Sequence, residues 1–95
     1  MRIVFCFDKA DNTELFKVKH ADITEKEIIE LFANPSVMFE SKKIYQIIGH
    51  TNNKRYLVIV GVYGDNGTVF RVFTAYPASK KYLIYYKKEV MKYDQ

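Results

Sequence analysis

Three residues in the second half of this sequence could act together on a phosphate, and their spacing draws them to one place. His50 and Arg55 bracket Asn52-Asn53, and Tyr76 closes the last alternating run, Thr68–Tyr76. Asn tolerates positive φ, so Asn52-Asn53 suits a two-residue hairpin loop that sets His50 opposite Arg55. Gly64-Asp65-Asn66-Gly67 sets Tyr63 opposite Thr68 in the same way. Side chains alternate across a strand, so this register gathers His50, Arg55 and Tyr76 in a row at one end of one sheet face. An imidazole moves protons near neutral pH. A guanidinium clamps a phosphate through two parallel hydrogen bonds, and a phenol stacks or donates. The trio suits attack of an RNA 2′-hydroxyl on its neighbouring phosphate, which needs a base, an acid and charge stabilisation but no obligatory metal. Taken alone, His50 and Arg55 fit the polar rim of an ordinary turn better than a catalytic pair.

Arg71 lies in mid-strand between Phe70 and Val72, where a charge is costly unless paired or facing a cleft. A salt bridge to Glu27 or Glu30 and a phosphate-binding role both answer that cost. Lys17, Lys19 and His20 would close a first helix, where cations suit the dipole. Lys80 and Lys81 would open the last helix, where the dipole disfavours them, and that placement points to an anionic partner. Glycine-rich phosphate loops, G-x-S-x-G elbows and zinc spacings do not occur. With one Cys and two His, neither a metal nor a cofactor is expected.

Charge is divided along the chain. Residues 1–40 carry five Lys/Arg against eight Asp/Glu, a net −3, whereas residues 41–95 carry ten against three, a net +7. All eight tyrosines fall in that basic half. Phosphates attract cations and bases stack on rings, so this half has the composition of a nucleic-acid surface. It also has the composition of a solvated basic face over core tyrosines. The 95 residues suffice for one domain spanning 1–95. No apolar run reaches the ~20 residues of a membrane span, the first residues lack a signal-peptide pattern, and Cys6 alone excludes an internal disulfide. A buried thiol and a cytoplasmic location are expected.

The elements that must position these residues follow from period and punctuation. Ile3–Phe7 reads as a strand, and Asp8 as the N-cap of a helix reaching about Lys19. A second helix is better signposted. Thr24 and Glu27 form a T-x-x-E capping box, Ile23 and Ile28 a hydrophobic staple, and Asn34-Pro35 the stop. Strands are expected at Val37–Glu40, Lys43–His50, Arg55–Tyr63 and Thr68–Tyr76, and a helix from about Ser79 to Met91 with Leu83, Tyr86 and Val90 as its stripe. Both sheet faces are apolar enough to need cover. The expected class is α+β, with two N-terminal helices packed on a mostly antiparallel β-meander and a C-terminal helix.

Several short motifs recur in a familiar order: Phe7-Asp8, Lys19-His20, Thr24–Ala33, Asn34-Pro35, Gly49-His50-Thr51, Arg55–Val60, then Arg71–Lys81 with Tyr85 or Tyr86. This order resembles the BrnT family of ribonuclease toxins from bacterial type II toxin–antitoxin systems, which share the RelE fold. Tyr76 stands where that family usually has Arg, and Tyr82 where it often has Glu. The resemblance implies a metal-independent endoribonuclease with a cognate antitoxin protein as partner. In it Arg55 and Arg71 would neutralise the scissile phosphate and His20 or His50 would handle protons. Lys19, Tyr76, Lys80, Lys81 and Tyr85 would hold the RNA. The alternatives are a non-catalytic RNA- or protein-binding module of the same fold, and a domain whose basic half complements an acidic protein.

Overall fold

In the computed structural model, the first signal to become structure is the capping box. Thr24 accepts from the Glu27 N–H at 3.1 Å, and Glu27 reaches back to the Thr24 N–H at 3.1 Å, so two orphan amides of helix α1 (Glu25–Ala33) are satisfied reciprocally. Ile23 and Ile28 are both fully buried beside it, as a staple requires. Asn34 adopts an extended conformation before Pro35 and ends the helix. The structure describes residues 1–8, 13–14, 17 and 22–93.

Around α1 the described strands are β1 (Arg2–Phe5), β2 (Phe7–Asp8), β3 (Thr13–Glu14), β4 (Val37–Ser41), β5 (Ile44–His50), β6 (Tyr56–Gly64) and β7 (Val69–Pro77), and helix α2 (Lys80–Tyr93) follows them. The main sheet is mixed, with order β1-β7-β6-β5-β4. Strands β4 to β7 form the expected antiparallel meander, but β1 adds to β7 in parallel, pairing Arg2 with Val69 through Phe5 with Val72. The expected pair of N-terminal helices is corrected. Phe7–Asp8 pairs antiparallel with Thr13–Glu14, so Asp8 does not open a helix, and α1 is the first of two α-helices among the described residues. The reason is weak helical drive. Only Ala10, Leu15, Phe16 and Val18 offered apolar anchors between Asp8 and Lys19, and local strand pairing prevailed.

Each sheet face has its own core. On the α1 face, Ile28 and Leu31 pack with Ile47, Leu57, Ile59, Phe70, Val72 and Ala75. On the α2 face, Tyr86 packs with Ile48 and Val58, flanked by Phe39, Tyr56, Tyr76, Tyr82 and Val90. Fully burying each such aliphatic side chain stabilises the fold by about 1.5–3 kcal/mol, so both helices hold the sheet and both faces are covered.

Both hairpin registers differ from the expected ones. His50 pairs with Tyr56, not Arg55. The loop has three residues, because Lys54 takes the left-handed position with φ 63° and adds one to the Asn pair. Thr51 N–H donates to the Arg55 carbonyl at 2.9 Å and Lys54 N–H to the Thr51 carbonyl at 3.0 Å, closing a turn followed by a left-handed residue. At the second hairpin Gly64 pairs with Val69 and Tyr63 with Phe70, so Thr68 belongs to the turn, where its side chain donates to the Asp65 carbonyl at 2.7 Å. Further along, a bulge leaves Phe73 unpaired between the rungs Gly61–Val72 and Val60–Thr74. A Cβ on Gly61 would stand 2.1 Å from the Arg71 carbonyl oxygen. Only glycine admits that approach of the two strands.

Candidate functional site

A one-residue change of register moves side chains to the opposite face, and it separates the expected trio. Arg55 lies on the α1 side, where Nη1 meets both Glu27 carboxylate oxygens at 3.2 Å and Nη2 meets the Asp22 carboxylate. Burial alone would lower its pKa. The hydrogen bonds to Asp22 and Glu27 outweigh that and raise it above the ordinary guanidinium value. The surrounding loop is sewn to α1 as well. Asn52 N–H donates to a Glu30 carboxylate oxygen at 3.1 Å, and the Asn34 side-chain amide lies within 3.0–3.1 Å of the Glu30 and His50 carbonyls and the Asn52 side-chain oxygen. Glu27 and Glu30 are thereby committed to this corner.

His50 is on the other face. Its ring packs edge-on against Tyr56 and Tyr86, at centroid distances of 5.7 and 6.5 Å. Nδ1 lies 2.8 Å from the Thr51 carbonyl, which can only accept, so a neutral ring carries its hydrogen there and leaves Nε2 as the acceptor. With Pro35, Lys87, Val90 and Met91 these rings line a pocket of about 280 Å³. Tyr86 is almost fully buried and donates to the Pro35 carbonyl at 2.9 Å. Tyr76 shares this face but packs against Tyr82 instead. Burial, with the hydrogen bond and charge of Tyr82, pushes the Tyr76 phenol up to about 12. Arg71 is exposed, paired through its backbone with Val4 and Val62, and of its two alternatives the bridge to Glu27 or Glu30 is not made. Lys19 and His20 lie outside the described residues.

Two of the sequence-predicted binding residues, Lys81 and Tyr85, do meet around one cleft. Phe39, Gln46, Lys81, Tyr82 and Tyr85 line a cavity of about 290 Å³ between α2 and the β4–β5 hairpin. A second cavity of about 270 Å³ shares Phe39 and Gln46 and continues past Ser41 and Ile44 to Lys42. The rings run in series. Tyr76 neighbours Tyr82 at 6.5 Å, Tyr82 neighbours Phe39 at 6.5 Å, and Phe39 neighbours Tyr85 at 4.7 Å. Tyr85 stays 38% exposed, so a ring face or edge remains open to a ligand. Lys80 and Lys81 are exposed in the first turn of α2, which contains no acidic residue. The edge carboxylate nearest in sequence, Glu40, alternates away from Phe39.

The residues missed from sequence are Phe39, Gln46, Tyr82 and Lys42. Tyr82 was legible as the partner of Tyr85 one helical turn away. Phe39 and Gln46 required the β4–β5 register, which pairs them directly. Among the described residues no cluster of His, Cys, Asp and Glu could hold a metal ion. No helix among them is long and apolar enough to cross a membrane. No protein-family model, curated protein or solved structure matches this chain.

Proposed function

We propose that this protein is a non-catalytic binding module for single-stranded RNA. The observation that supports this reading is the pair of cavities sharing Phe39 and Gln46, in which Phe39, Tyr82 and Tyr85 are joined by Lys81, Lys42 and the Gln46 amide. Bases stack on exposed rings without regard to sequence, and each stack contributes about 1–3 kcal/mol. The lysines supply the counter-charge along the backbone. Gln46 and the tyrosine hydroxyls offer donors and acceptors for a 2′-hydroxyl, the group that separates RNA from DNA. The binding reading needs neither the Arg55 guanidinium, which is engaged by Asp22 and Glu27, nor a shared site for His50 and Arg55.

Fluorescence anisotropy with a labelled oligouridylate of about ten nucleotides, within the span that single-strand grooves cover, tests the proposal. Affinity is expected to fall steeply with salt. Tyr85→Ala, at an exposed helical position, is expected to weaken binding about 5- to 150-fold, the equivalent of one lost stack. Absence of binding by the wild-type chain at low salt would overturn the reading. Cleavage of the oligonucleotide in the presence of a chelator would replace it with the ribonuclease one. Equal affinity for polyglutamate would make the partner an acidic protein.

A further inference from the structure

We infer that the two-residue turn Lys42-Lys43 is a phosphate clamp for the strand seated in the neighbouring cleft, an inference that rests on the RNA-binding reading. Ser41 pairs with Ile44, so Lys42 and Lys43 alone make the β4–β5 turn. Both are left-handed, with φ 52° and 67°. Two consecutive positive φ values define the turn that follows strand twist most naturally, and its favoured sequence is Asn-Gly because side chains with an ordinary Cβ are strained there. Lysine has neither the small side chain nor the local hydrogen bonding that eases this conformation. The chain therefore keeps two strained cations at a place where a relaxed turn is available.

What that strain accomplishes is suggested by position. Lys42 lines the outer end of the cleft with Phe39, Ser41, Ile44 and Gln46. Both lysines are exposed, and neither is ion-paired among the described residues. Lys81 stands at the other end of the same path, beside Tyr82 and Tyr85. Cations therefore flank the aromatic floor at its two ends, the arrangement a phosphodiester backbone needs when its bases are stacked between them. Backbone strain that persists beside a cleft is commonly retained for the ligand. A rival reason for lysines here is that β4 is a sheet edge, and edge lysines discourage strand pairing between molecules.

Two variants of the whole chain separate these roles. Lys42→Asn/Lys43→Gly removes both the charge and the strain. It is expected to raise the unfolding midpoint by roughly 4–8 °C while reducing the slope of log affinity against log salt by up to about 1.4, the value for two phosphates on a single strand. Lys42→Gln/Lys43→Gln removes the charge alone and is expected to give the same loss of slope with the midpoint unchanged. Oligouridylate is the probe in both cases. If the wild type binds and either variant keeps the full slope, the clamp is refuted and the RNA reading stands. Self-association of the variants with an unchanged slope would assign the lysines to edge protection. An Asn-Gly variant no more stable than wild type would remove the strain argument. A wild type that binds no RNA at low salt would remove both proposals together.

Discussion

Replacing Arg55 with alanine should be a stability experiment before it is a functional one. Read as a residue near a hairpin turn, Arg55 would be expected to change stability by less than ~0.5 kcal/mol. Its partners in the structure give a different magnitude. Its side chain is 31% exposed and that of Glu27 22% exposed, and the two are joined by contacts of 3.2 Å to both carboxylate oxygens. Charge-assisted hydrogen bonds contribute about 1.5–3 kcal/mol when well formed, and solvent-exposed pairs about 0.2–1 kcal/mol. A half-buried pair with two contacts falls between, at about 1.5 kcal/mol. Asp22, at 67% exposure, adds no more than about 0.5 kcal/mol. The sum is about 2 kcal/mol. At about 4–8 °C per kcal/mol for a domain of this size, the midpoint should fall roughly 8–16 °C. Thermal unfolding followed by circular dichroism measures it. A double-mutant cycle with Glu27→Gln isolates the pair, because Gln keeps the capping box while losing the charge. A drop of less than about 2 °C, or strict additivity in the cycle, would refute the claim that this ion pair ties the 51–55 loop to α1.

Two other outcomes follow from the sheet. Gly61→Ala should destabilise by about 3 kcal/mol or more, since its Cβ would sit 2.1 Å from a backbone oxygen that cannot rotate away; a denaturant midpoint within error of wild type would place the bulge elsewhere. The Tyr76 phenol, at about 12 in the folded protein against an ordinary value near 10, stays protonated when an unfolded tyrosine has ionised. Stability from this group is therefore complete below about pH 10 and lost as pH rises toward about 12. Tyr76→Phe should flatten that part of the stability profile, and an unchanged profile would assign the loss to other groups.

Local chemistry in the sequence determines α1 to the residue. The capping box, the Ile23–Ile28 staple and the Asn34-Pro35 stop all act within one or two turns, so they need no knowledge of the rest of the chain. The existence of the four meander strands, the last helix and two apolar sheet faces was legible for the same reason. The register was not. It depended on Lys54 taking a left-handed position that no glycine announces, and on a bulge at Phe73 that only the approach of Gly61 to Arg71 makes possible. Because side chains alternate with a period of two, these single-residue displacements decide which face each residue joins. They send Arg55 to the carboxylates of the α1 side and leave His50 among the tyrosines of the α2 side. Long-range pairing likewise set β1 in parallel on β7, beyond the reach of any local pattern. The lysines and aromatic rings were visible as a basic half of the chain. Only the packing of α2 over the β4–β5 hairpin turns part of that composition into a cleft, because Phe39, Gln46 and Tyr85 come from separate elements that the fold alone brings side by side.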